Sequence, residues 1–154
     1  IYNAHLLLLT KESELAVLKM QEAKIDRSDV TILEVEHNNI PSYLNKSKVG
    51  LAFYKPGYSR KGCCPTKVGE YLACGLPLVI NAGIGDMDGV IGENNVGVVI
   101  SEFNELEYFN AINRINDLWK DPHSLRSRCR LISDKYFSLN IAIERYRRIY
   151  GELL

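Results

Sequence analysis

The sequence has 154 residues, 46% of them hydrophobic and 25% charged, which suits one globular domain with a real core and leaves no room for a second full one. Its 19 basic residues balance 19 acidic ones, so the overall field favours neither nucleic acid nor an anionic membrane, and recognition must be local. The longest apolar runs, Leu6 to Leu9 and Val96 to Ile100, fall far short of the roughly 20 residues that cross a bilayer, and no signal-peptide pattern opens the chain.

His5 to Thr10 (HLLLLT) is a short unbroken apolar run and predicts a strand; Lys11 to Ile25 follows as a helix, with Leu15, Leu18, Met20 and Ala23 near helical spacing. Thr31 to His37 (TILEVEH) alternates apolar residues with acids as a second strand. Asn38, Asn39 and Pro41 then punctuate before a short helix carrying Tyr43 and Leu44. Val49 to Tyr54 (VGLAFY) is the next strand, and Lys55 to Cys64 a loop rich in glycine and positive charge. Pro65 suits the first position of a helix, predicted over Thr66 to Cys74 with Gly75 as its stop. Leu76 to Asn81 is a strand, Gly83 to Asn95 a glycine-rich loop, and Val96 to Ile100 another strand. Three helices close the chain, over Leu106 to Trp119, Pro122 to about Tyr136 and Leu139 to Tyr150. Strands alternating with helices, built from runs of Val, Ile and Leu, predict an α/β fold with a Rossmann-like parallel sheet and helices on both faces.

The helix after the glycine-bearing loop carries the chemistry. Three-and-four spacing places Thr66, Lys67, Glu70 and Cys74 on one face and Val68, Tyr71 and Leu72 on the other. Lys67 lies in the first turn, where the positive end of the helix dipole disfavours a cation by about 0.3 to 1 kcal/mol, so a lysine there makes better sense if an anion arrives. A helix start at the carboxyl end of a parallel strand offers free N–H groups to a phosphate. Glu70, one turn deeper, has paired acceptor oxygens that match a ribose diol. The plainer alternative is a solvated helix face.

Residues Pro65 to Asp86, PTKVGEYLACGLPLVINAGIGD, resemble the retaining glycosyltransferases often called glycosyl transferases group 1. The resemblance extends in lower detail from HLLLLT through EVEHNNIPSYLNKSKVGLAFY to the RYRRIYGELL end. It implies that the whole chain, 1–154, is one nucleotide-sugar-binding domain, the C-terminal half of a two-domain GT-B enzyme. By resemblance Glu70 binds the ribose of the donor nucleotide, and Cys64, Pro65, Thr66 and Lys67 face its diphosphate. Asn38 and its neighbours would lie near the base, and Gly83, Gly85 and the segment through Asp86 would flank the donor pocket. No catalytic residue, metal or cofactor is implied; the nucleoside-diphosphate sugar is a substrate.

Two departures stand out. The family often carries a second glutamate eight positions before the first, and here that position is Gly62, preceded by Arg60 and Lys61. The sugar contact is therefore unassigned, with Lys61 a candidate for a phosphate or sugar-carboxylate and a solvated loop lysine as the equal alternative. The family's first strand and its basic residue are expected to lie before Ile1, outside this sequence, so a slot between the HLLLLT and VGLAFY strands is expected, along with a missing N-terminal acceptor domain. On this reading the chain is an excerpt of a longer protein and inactive alone.

Other residues weigh less. His5, His37 and His123 are isolated from one another, and Cys63, Cys64, Cys74 and Cys129 show no C-x-x-C spacing, so reduced thiols and no metal are expected. Asp86 and Asp88 are balanced between sugar contacts and turn formers. Trp119, Tyr136, Tyr146 and Tyr150 are expected to pack with polar tips, with exposure of some of them the alternative that the resemblance implies, since the family's last helix crosses back towards the partner domain; Arg145, Arg147 and Arg148 are expected to form a solvated face. The function expected is sugar transfer from a nucleotide donor to a glycan or lipid-linked acceptor, with retention, in cytoplasmic polysaccharide synthesis. Peripheral membrane association of the intact enzyme stays open. The rivals are a sugar-nucleotide epimerase of the same architecture, a non-catalytic nucleotide-binding module and, more distantly, a receiver domain.

Overall fold

The computed structural model describes residues 4–153, which divide into two compact units, the first ending at Tyr43 and the second beginning at Leu44. In the first unit β1 (Leu6–Leu9) pairs in parallel with β2 (Val30–Leu33), Leu6 opposite Val30 and Leu9 opposite Leu33. The crossover runs through α1 (Ser13–Glu22), where Met20 is buried while Leu15 and Leu18 stay about half exposed, so the predicted apolar stripe is only partly used. β2 stops four residues earlier than TILEVEH predicts. Glu34 and Glu36 are exposed, the pairing ends at Leu33, and the chain turns through a 3-10 turn at His37–Asn39 into α2 (Ile40–Leu44), which leads into the second unit.

The second unit is a three-stranded parallel sheet in the order β3 (Gly50–Ala52), β4 (Leu78–Asn81), β5 (Gly97–Ile100). Period-two alternation along β4 divides the core. Leu78 and Ile80 pack with Val68 and Leu72 of α3 (Thr66–Ala73), Val90 and Ile91 of α4 (Met87–Gly92), and Leu125, Cys129 and Ile132 of α6 (Pro122–Phe137). Val79, between them, points the other way and joins Val98, Ile100, and Ala111 and Ile115 of α5 (Glu105–Leu118). Helices therefore cover both faces, as the unbroken apolar runs require. Cys129 is fully buried, and burial pushes its thiol up to about 11, so it serves the core as a small neutral hydrophobe.

Local chemistry sets the boundaries. α3 ends at Ala73 with Cys74 as its C-cap, and Gly75 takes φ +70°, the left-handed stop expected of a glycine there. Asn104 and Asp121 cap α5 and α6 by accepting from the N–H groups of Glu107 (2.9 Å) and Ser124 (3.0 Å). The segment predicted as loop from Gly83 to Asn95 contains α4. Its Met87, Val90 and Ile91 fall at helical spacing and are buried, and that burial outweighs the weak propensity of Gly89 and Gly92.

The last helix, α7 (Leu139–Leu153), has no buried residue. Tyr136, Tyr146 and Tyr150 are 40%, 63% and 63% exposed, so the expectation that they pack is corrected. Trp119 does pack, and its indole N–H donates to the Lys48 carbonyl (2.8 Å).

Asn81, at the carboxyl end of β4, is a buried polar residue that no motif singled out. Its Oδ1 accepts from the N–H of Tyr54 (2.7 Å) and its Nδ2 donates to the Ala82 carbonyl (3.3 Å), tying the exit of β3 to the exit of β4. Replacing it with alanine leaves the Tyr54 N–H without its acceptor and should lower stability by about 1 to 3 kcal/mol. Leu72→Ala, at a fully buried position, should cost about 2 to 5 kcal/mol. Denaturant midpoints measure both, and a midpoint unmoved by Leu72→Ala would contradict the packing described.

Candidate functional site

α3 begins at the carboxyl edge of the β3-β4-β5 sheet because its apolar stripe demands it. Val68 and Leu72 are fully buried, and Gly69, between them, lies against the Phe137 ring while its carbonyl accepts from Ser133 Oγ (3.1 Å). Those contacts fix the helix to α6 and leave its opposite side, Thr66, Lys67 and Glu70, exposed. The two burials contribute about 3 to 6 kcal/mol, several times what Lys67 loses against the dipole.

The tip of the helix is open. Its N-cap residue is Pro65, buried and without a side-chain acceptor, and of the first-turn amides Val68 N–H bonds the Pro65 carbonyl (3.1 Å). Thr66 and Lys67 carry N–H groups of that turn that have no partner within the helix. No acidic side chain stands in the first turn, where an acid would compete for those amides. Glu70 lies one turn along on the same face. Its carboxylate bears on Cys74 and Tyr71: burial raises both groups first, and the charge of Glu70 raises them further, after Tyr54 in the case of Tyr71.

Two loops meet beside this tip. The loop after β3 is not shapeless: Tyr58–Gly62 forms a 3-10 turn, with Arg60 set 5.8 Å from the centre of the Tyr54 ring. The loop after β4 passes through Gly83 and Gly85. Gly85 N–H donates to the Arg60 carbonyl (2.9 Å), and a side chain at Gly85, whose φ is +49°, would collide with the Cys63 carbonyl. The structure thus brings Lys61, Gly62, Cys64, Pro65, Thr66, Lys67, Gly83, Gly85 and Glu70 to one edge of the second unit. Lys61 itself stands 5.7 Å from the ring centre of Tyr58, which is 88% exposed. Asn38 is exposed within the 3-10 turn of the first unit.

Asp88 is a turn former: both its carboxylate oxygens accept from Gly83 N–H at 3.1 Å, while Asp86 caps α4 with no side-chain bond. His5 bonds Thr31 Oγ1 (2.7 Å), and His37 and His123 are exposed. Among the described residues no three His, Cys, Asp or Glu side chains are grouped to hold a metal ion, all four cysteines are free thiols, and no helix is long and apolar enough to cross a membrane. Surface hollows lined by Lys11–Leu15 and by Asp88, Gly92, Gly97, Val98, Val99 and Arg114 include neither Glu70 nor the α3 tip, where Thr66 and Lys67 are exposed.

Residues 4–138 match the family model described as Glucosyltransferase 3-like, C-terminal domain. No curated protein sequence matches the chain. Among solved structures it is similar to sucrose-phosphate synthase from Thermosynechococcus elongatus, with a TM-score of 0.65 and 19% identity over 92% of this chain and 34% of that one. It is also similar to WaaG, a glycosyltransferase involved in lipopolysaccharide biosynthesis, with a TM-score of 0.57 and 16% identity over 85% of this chain and 33% of the other. The chain thus spans about a third of the length of each of these two structures. A family model that covers most of its residues means that the chain belongs to the Glucosyltransferase 3-like C-terminal domains, and the α/β fold it shares with these structures is that of GT-B C-terminal domains.

Proposed function

We propose that this domain binds the nucleoside-diphosphate sugar donor of a retaining glycosyltransferase that acts in the cytoplasm on a glycan or lipid-linked acceptor. The observation that carries the reading is the uncapped, exposed start of α3, with a lysine in its first turn and no carboxylate there to compete. A diphosphate set against Thr66 and Lys67 meets two backbone N–H groups, the helix dipole and an ammonium group. Glu70, exposed one turn along, then accepts from both hydroxyls of the ribose.

The chemistry asked of these residues is electrostatic. As the bond from sugar to diphosphate breaks, negative charge grows on the leaving oxygens, and donors already held in place stabilise it without reorganising. Each such donor is commonly worth about 2.7 to 4 kcal/mol of transition-state stabilisation. The acceptor is held by a second domain, in keeping with a chain that spans a third of its solved relatives.

Calorimetry with UDP, GDP, ADP and CMP against the full-length protein tests the reading. One base should be preferred, and Glu70→Ala should weaken that nucleotide by about 1 to 3 kcal/mol while leaving inorganic pyrophosphate unaffected. Equal affinity of the wild type and Glu70→Ala for every nucleotide would remove the ribose assignment.

A further inference from the structure

The site rests on more than α3. We propose that Asp88 is a positioning residue for diphosphate recognition: its carboxylate holds the loop after β4, and through that loop it holds the turn that leads into α3. The proposal rests on the donor-binding reading above.

The links form one chain of contacts. Both Asp88 carboxylate oxygens accept from Gly83 N–H at 3.1 Å. Two residues on, Gly85 N–H donates to the Arg60 carbonyl, and the N–H of Cys63 donates to that same carbonyl at 3.1 Å. One oxygen therefore joins both loops. The backbone of Gly85 lies so close to the Cys63 carbonyl that even a Cβ would not fit, so a shift of Gly85 moves Cys63 with it. Only Cys64 and Pro65 separate Cys63 from the Thr66 amide. Upstream, Ala82 N–H is fixed to the Ile100 carbonyl (2.9 Å), and Ile84 is anchored in the core, so Asp88 adds the hold at Gly83 between those two points.

This role differs from that of an ordinary acid in the first turn of a helix. Such an acid would steady α4 and nothing else. It also runs against simple charge, since a carboxylate near an arriving diphosphate repels it. Losing Asp88 therefore has opposite expected effects under the two accounts: weaker diphosphate binding if position matters, stronger if only charge does.

The test uses full-length protein and the preferred base among UDP, GDP and ADP, comparing the diphosphate with its monophosphate. Asp88→Ala should reduce the diphosphate-over-monophosphate preference by about five- to tenfold, with monophosphate affinity unchanged. Asp88→Asn keeps an acceptor for Gly83 N–H and should retain the wild-type preference. Hydrogen exchange, read without ligand, should speed up at Gly83 and Gly85 in Asp88→Ala only. A wild-type preference that survives or rises in Asp88→Ala, or unchanged exchange at both glycines, would overturn the proposal while leaving the donor-binding reading intact. A wild type that binds no nucleotide, or shows no preference for the diphosphate, would overturn both.

Discussion

The arrangement depends on how α3 divides its surface. Val68 and Leu72 are drawn fully out of water against β4, α4 and α6, and the helix can satisfy them in only one rotation about its axis. That rotation, fixed further by the close seat of Phe137 on Gly69 and the bond from Ser133, turns Thr66, Lys67 and Glu70 outward together. Core packing, rather than anything at the tip, thus aims the amides of the first turn. A diphosphate contact gains from donors that need no rearrangement, so under the proposed reading the rigidity of the core would serve binding.

The loops beside the tip show the same economy of parts. Backbone groups make most of the connections: the Arg60 carbonyl takes two N–H groups from different loops, and Ala82 is held by β5. Side-chain hydrogen bonds add to them at Asn81, at the exit of β4, and at Asp88, at the start of α4. Lys55, Arg60, Lys61 and Lys67 place four basic residues in the loop after β3 and the first turn of α3, in a chain whose total charge is zero, so the positive charge they supply is local rather than a long-range field.

How far the sequence could be read follows from what each element depends on. The strands at HLLLLT, VGLAFY, LPLVIN and VGVVI, and helix α3 with its Gly75 stop, rest on local patterns of apolar residues and stop signals, and they stand where those patterns put them to within two or three residues. α4 was hidden because Gly83, Gly85, Gly89 and Gly92 look like loop, and only the buried neighbours of Met87, Val90 and Ile91 make it a helix. Tyr146 and Tyr150 misled for the opposite reason, being aromatic residues at helical spacing whose helix buries none of them. In the site, Thr66, Lys67 and Glu70 were legible because spacing alone puts them on one face. Asn81 and the Gly85 latch were not, since both act between segments that lie far apart in the chain and close only in the fold.

The central claim is that the start of α3 receives a diphosphate. The most direct measurement is a titration of uniformly ¹⁵N-labelled protein with inorganic pyrophosphate, following backbone amide resonances. The account predicts saturable shifts greatest at Thr66 and Lys67, with smaller ones at Cys64 and Gly85. Shifts spread over surface lysines without saturation, or centred on another part of the chain, would contradict it.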